Sequence, residues 1–145
     1  MTPKILGPGE GRILNILGDA QNIRLSSEDT NGSLLMIEQT NPPGVGIPMH
    51  VHENEDEVFH ILEGSLACTV GGKSVVATAG TTVFLPRNIP HTWITAGEVP
   101  VKTILIVSPG VGAESMFGEL SRLPAGPPDM AVVLEICGRY GVRFV

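Results

Sequence analysis

Two histidines, His50 and His52, lie inside the stretch Gly44–Gly64, GVGIPMHVHENEDEVFHILEG, and narrow what this chain can fold into. Side chains alternate across an extended strand, so residues at i and i+2 leave the same face. Read as a strand, the segment presents both imidazoles side by side. Glu57 follows the acidic, turn-prone Glu53-Asn54-Glu55-Asp56. A return strand brings its carboxylate back over the same pocket. Two imidazoles and one carboxylate need one more ligand for a compact metal site, and His91 is the candidate.

His91 comes directly after Pro86-Arg87-Asn88-Ile89-Pro90, where two prolines restrict φ and stiffen the loop. Such a loop suits a residue that must be placed accurately. Alternation puts His91, Trp93 and Thr95 on one face of a strand. It puts Glu57, Phe59 and Ile61 on one face of another, with Val58, His60 and Leu62 behind. The expected site is therefore a metal cluster of His50, His52, Glu57 and His91, walled by Phe59, Ile61, Trp93 and Thr95 as substrate-binding residues. Ligand pockets commonly combine an apolar lining with a few placed polar groups. His60 faces away from the cluster and is read as a packing or interface residue. Glu53, Glu55 and Asp56 are read as a solvated turn. Three imidazoles and a carboxylate suit one divalent ion per chain from among Fe, Mn, Co, Ni, Cu and Zn, and do not suit a soft thiolate site.

The rest of the chain is punctuated by turn residues. Eighteen glycines and twelve prolines are spread through 145 residues, with short aliphatic and β-branched runs between them. Closely spaced strands with such turns point to an all-β sandwich or barrel in a single domain. Expected strands are Ile13–Leu17, Ile23–Ser26, Ser33–Thr40, Ile47–Val51, Glu57–Leu62, Ser65–Val70, Ser74–Thr78, Thr81–Leu85, His91–Thr95 and Val101–Val107. Asp29-Thr30-Asn31-Gly32 supplies a turn with positive φ. The run Ile104–Val107 is apolar on both faces, which fits a strand covered from both sides. After Pro109-Gly110 the pattern becomes helical, over Ala113–Leu123 and then Met130–Arg139, with Asp129 as a cap. The chain thus divides into N-terminal strands (1–32), a barrel core (33–108) and a C-terminal helical extension (109–145).

Composition excludes several classes. The formal charge of −6 argues against nucleic acid and against an anionic membrane surface. No apolar run spans a bilayer, and the N-terminus lacks the apolar core of a signal peptide. Two isolated cysteines, Cys68 and Cys137, fit free thiols in a cytoplasmic protein. A positive mean hydropathy of +0.22 with 17% charged residues suggests hidden apolar surface, hence a homodimer.

The spacing of the ligand residues resembles that of the cupins. Their first motif runs Gly, five residues, His-x-His, three or four residues, Glu, six residues, Gly. Gly44, His50, His52, Glu57 and Gly64 fill it in register. Their second motif runs Gly, five residues, Pro-x-Gly, two residues, His, three residues, Asn. Gly80, Pro86 and His91 match it. Asn88 stands where Gly is usual, and Asn tolerates the left-handed backbone. Thr95 stands where Asn is usual, at a position that is not a metal ligand in the family. The resemblance implies a double-stranded β-helix barrel, or jelly roll, of two antiparallel sheets.

The segments EVFHILEG and FLPRNIPHTW are similar to the quercetinase-like small cupins, as is the tail LEICGRYGVRF, where a Tyr-Gly pair precedes a short last strand. That similarity implies a metal-dependent dioxygenase acting on a small enol or aromatic substrate, with Glu57 as both ligand and general base. Two alternatives stand beside it. One is a non-redox metal enzyme, such as an isomerase, lyase or cyclase. The other is a small-molecule-binding cupin without turnover.

Overall fold

The structure is a computed structural model covering residues 1–145. Eleven strands and two helices follow in the order β1 (Arg12–Ile16), β2 (Asp19–Leu25), β3 (Leu35–Asn41), β4 (Gly46–His52), β5 (Asp56–Glu63), β6 (Ser65–Val70), β7 (Lys73–Thr78), β8 (Thr82–Leu85), β9 (His91–Ala96), β10 (Val101–Ser108), α1 (Val111–Ser121), α2 (Met130–Arg139) and β11 (Val142–Phe144). They form two antiparallel sheets packed as a jelly roll. One has the strand order β1-β2-β3-β10-β5-β8 and the other β11-β4-β9-β6-β7.

Burial alternates along β3, β5 and β10, as a period of two requires when one face meets a core. The inner residues of the larger sheet form cross-strand rows. Ile37, Leu105, Phe59 and Val83 make one such row, through the pairs Leu105 with Ile37, Leu105 with Phe59, and Phe59 with Val83. The outer row carries Met36, Ile106, Val58 and Phe84 in register. Ile104 and Ile106 are only half-buried and Phe84 is exposed, so covering of β10 from both sides is not completed within one chain.

Turn chemistry sets the strand connections. Asn31 and Gly32 adopt positive φ of 55° and 82° in the connection from β2 to β3, as the Asn-Gly pair predicts. The β1–β2 hairpin closes through Leu17 and Gly18, both at positive φ. That is the type I′ pattern, which Asn-Gly fills more comfortably than a Leu does.

The C-terminal third closes one end of the barrel. Asp129 caps α2 by accepting a hydrogen bond from the Ala131 backbone N–H at 3.0 Å. Met116, Phe117 and Leu120 of α1 and Val133, Ile136 and Cys137 of α2 are buried in the main core. The chain then pairs β11 with β4, where Val142 faces His52 and Phe144 faces His50. Neither helix is long and apolar enough to cross a membrane. Cys68 and Cys137 are free and buried, and burial pushes the Cys68 thiol up to about 11, leaving it unreactive at neutral pH.

Candidate metal centre

The three histidines come from the smaller sheet and the glutamate from the larger one. His50 and His52 end β4, and His91 opens β9 directly opposite His50 in register. Glu57 lies on β5, paired with Val107 and Leu85. The turn from β4 to β5 carries the chain from one sheet to the other, which sets the carboxylate against the imidazoles.

The turns around the site are tied down. Asn88 takes φ of 64°, so it does adopt the left-handed conformation usually left to Gly, and its N–H donates to the His52 carbonyl at 2.8 Å. Arg87 is clamped to Asp56 by its backbone N–H (2.8 Å) and its guanidinium (2.9 and 3.1 Å). The loop that delivers His91 is thereby fixed to the start of the strand that delivers Glu57.

Each imidazole is oriented from behind. His50 Nδ1 lies 2.8 Å from the Pro48 carbonyl and His91 Nδ1 lies 3.3 Å from the Ile89 carbonyl. His52 Nδ1 faces the carboxylate of Glu55 at 3.6 Å. A carbonyl or carboxylate behind Nδ1 favours a proton there and leaves the Nε2 lone pair free, the arrangement usual for metal-bound imidazole. His52 Nε2 and His91 Nε2 each stand 3.3 Å from Glu57 Oε2.

One ligand atom from each of the four residues lies within 4.8 Å of the others, and all four residues are buried. Bonds of ~2.1 Å to one ion place ligand atoms ~3.0–4.2 Å apart, so the cluster closes around an ion with little movement. His91 Nε2 is buried and has no hydrogen-bond partner. An orphaned nitrogen aimed at a carboxylate and two further imidazoles is what a cation would satisfy, and the four residues fit a divalent metal.

Electrostatics agree. Burial pulls His50 down to about 4, helped by His91 beside it, so its ring is neutral. Burial alone would lower His52, yet Glu57 and Glu55 outweigh it and raise it. Burial alone would raise Glu57, but His52 and His91 hold its carboxyl below the usual value. The carboxylate is anionic and three buried rings surround it.

A cavity of about 340 Å³ opens beside the cluster. His50, His52 and Glu57 face it, with Phe59, Trp93 and Leu105 on its walls and Met116 and Phe117 from α1. The Phe59 and Trp93 rings meet edge to face, 5.8 Å between centroids. Two expected wall residues are elsewhere. Ile61 and Thr95 point inward as alternation predicts, but they are packed into the barrel core and do not line the cavity. Alternation decides the face of a strand and not the depth along it. His60 lies on the outer side, 2.9 Å from the Thr82 hydroxyl.

Sequence reasoning also missed residues. Glu55 was expected in a solvated turn, yet it is 4% exposed and backs His52. A carboxylate three residues after a ligand histidine was the available signal. Its neighbours Glu53 and Asp56 are spent on Arg143 and Arg87.

Residues 37–107 match the family described as the cupin domain. The chain is 28% identical over 91 residues to quercetin 2,3-dioxygenase of Bacillus subtilis, covering 63% of this chain but only 27% of that protein. It is 26% identical over 92 residues to an oxalate-binding protein of Thermotoga maritima, covering 62% of this chain and 76% of that one. An RmlC-like cupin from Shewanella frigidimarina superposes with a TM-score of 0.63 at 21% identity, over 74% of this chain and 92% of that one. Residues 37–107, just under half of the chain, are thus like a cupin domain in sequence, and the jelly roll that holds them is shared with the cupin structures.

Proposed function

We propose that this protein is a metal-dependent oxidoreductase of dioxygenase type, acting on a small enol or aromatic substrate. The observation that carries the reading is a His50–His52–Glu57–His91 cluster opening directly onto a largely apolar cavity walled by Phe59 and Trp93. The similarity to quercetin 2,3-dioxygenase of Bacillus subtilis supports the choice of chemistry, although the matched segment is 27% of that protein.

His50, His52, His91 and Glu57 would hold one divalent ion. When bound, the ion supplies Lewis-acid chemistry and, if redox-active, one-electron chemistry. Phe59 and Trp93 give the cavity an aromatic wall against which a planar ring can pack. Glu57, kept anionic by its imidazole neighbours, accepts the proton of an enol or phenol at Oε2. The apolar walls keep water away from the deprotonated substrate.

Loading the protein anaerobically with one metal at a time, then admitting oxygen with flavonols and β-diketones, tests this. Oxygen uptake with at least one metal is expected. Absence of uptake with every metal overturns it. Turnover that proceeds without oxygen would instead assign an isomerase, lyase or cyclase, and tight binding without turnover a binding protein.

A further inference from the structure

The cavity has a second polar wall, at the other end from the histidines. Asp19, Gln21 and Gln39 line it, with Asn41 immediately behind. Three carboxamides are almost fully buried there, Gln21 at 3%, Gln39 at 2% and Asn41 at 1% exposure. They are chained together: Gln21 Nε2 donates to Gln39 Oε1 at 3.2 Å, and Gln39 Nε2 donates to Asn41 Oδ1 at 3.2 Å. The chain engages both polar atoms of the central amide and leaves its ends open. Gln21 Oε1, Asp19 Oδ1, Asn41 Nδ2 and the hydroxyl of the neighbouring Thr103 are all buried without a partner. Buried polar atoms are nearly always paired, so four in one patch call for an explanation.

The patch is remote from the metal cluster. Along β10, Val107 pairs with Glu57 and Thr103 pairs with Gln39. Four residues of strand are ~13 Å, and Glu57 and Gln39 lie on opposite sides of β10, ~10 Å apart across it. Side chains reaching inward from both ends shorten the gap to roughly the length of a fused or linked aromatic ring system. Phe59 and Leu105 form the apolar stretch between. The cavity therefore pairs a metal-binding end with a hydrogen-bonding end across an apolar middle.

We propose that Asp19, Gln21 and Gln39, backed by Asn41, are a second binding subsite that accepts a hydrogen bond from a hydroxyl at the far end of the substrate and fixes which end meets the metal cluster. The open atoms that belong to cavity-lining residues, Gln21 Oε1 and Asp19 Oδ1, are both acceptors, so the matching ligand group is a donor. Burial pushes the Asp19 carboxyl up to about 6, against the pull of the Asn41 side chain beside it, so an incoming hydroxyl adds to Asn41 as a partner of the buried carboxylate. This names the substrate class for the function proposed above and rests on that reading: a skeleton with an enol or ketone–enol at one end and a phenol or alcohol at the other.

The test uses full-length, zinc-loaded protein without oxygen, since zinc has no redox chemistry. The probes are 3-hydroxyflavone, which carries only the ketone–enol pair, and 3,4′-dihydroxyflavone, which adds a hydroxyl at the far end. Calorimetry gives the affinities, and quenching of Trp93, the single tryptophan of the chain, places binding in the cavity. Wild type is expected to prefer the dihydroxy probe by ~3–10-fold, the worth of one net hydrogen bond. Gln21→Met, and separately Gln39→Met in case one of them misfolds, should remove that preference while 3-hydroxyflavone binds as before. Equal affinity for the two probes in wild type, no binding of either, or a preference that survives in both variants overturns the subsite. Failure of the proposed oxygen chemistry would appear separately, as preserved probe preference without oxygen uptake.

Discussion

The two ends of the cavity are both polar and both buried, yet they are finished differently. At the metal end the rear nitrogens of His50 and His91 bond to carbonyls, that of His52 has Glu55 3.6 Å behind it, and the front nitrogens of His52 and His91 stand 3.3 Å from one carboxylate. At the amide end the side chains bond to one another and leave acceptors over at the cavity. A cation needs several donors aimed at one point, which demands support from behind. A hydroxyl needs one or two open partners, which a chain of amides leaves at its ends. The contrast separates a site built around a charge from a wall built to read a neutral group.

The largest effect that could break this contrast is at the metal end. His52→Ala should abolish bound metal, measured by elemental analysis of protein purified without chelator, while the far-ultraviolet circular dichroism stays that of wild type. Loss of the β-sheet signal would show that the cluster holds the fold together and is structural. Next in size, Glu55→Gln keeps the shape but weakens the support behind His52. Metal affinity should fall by ~10–100-fold, read by competition with a chromophoric chelator. An unchanged affinity would remove Glu55 from the centre.

The amide end responds through stability. Asp19 has its pKa raised to about 6 from 3.8. The folded state therefore holds that proton more tightly than the unfolded chain. Stability is highest below the unfolded value and falls as pH rises through the window from 3.8 to about 6. The loss is at most ~3 kcal/mol, because the side chain is not fully buried. Asp19→Asn should therefore melt higher than wild type at pH 8 and close to it at pH 4, by up to several degrees. Equal differences at the two pH values would mean that Asp19 is not buried in solution. The smallest effect is in the hairpin that carries Asp19. Leu17→Asn should stabilise by ~1 kcal/mol, since Asn suits the positive φ that Leu17 adopts. No change in denaturant midpoint would indicate that contacts of the Leu17 side chain offset the backbone gain.

Much of the metal end was legible because its information is local. His50 and His52 lie two apart on one strand, and Glu57 and His91 open strands beside turns whose residue types can be read. Helix α2 and its cap were equally plain, since Asp129 and the apolar face of Met130–Arg139 are set by short-range spacing. The amide end was not found, although a trace was present. Gln21 and Gln39 occupy the same alternating phase as Ile23 and Ile37, so polar residues stood at core positions. That pattern says a polar group is buried and does not say what it meets.

The sequence by itself determined most of the strands, the four candidate ligand residues and the sheet face each would occupy, because backbone periodicity and turn preferences act over a few residues; β2 begins at Asp19, four residues before the expected Ile23–Ser26. Only the tertiary structure decided depth and partnership. It placed Ile61 and Thr95 in the core and not on the cavity wall, drew Glu55 out of solvent to face His52, and joined Gln21 of β2 to Gln39 of β3. Those outcomes depend on how far two sheets curve toward each other and where the helices close the end. Such distances are sums over the whole packed chain, which no local stretch of residues encodes.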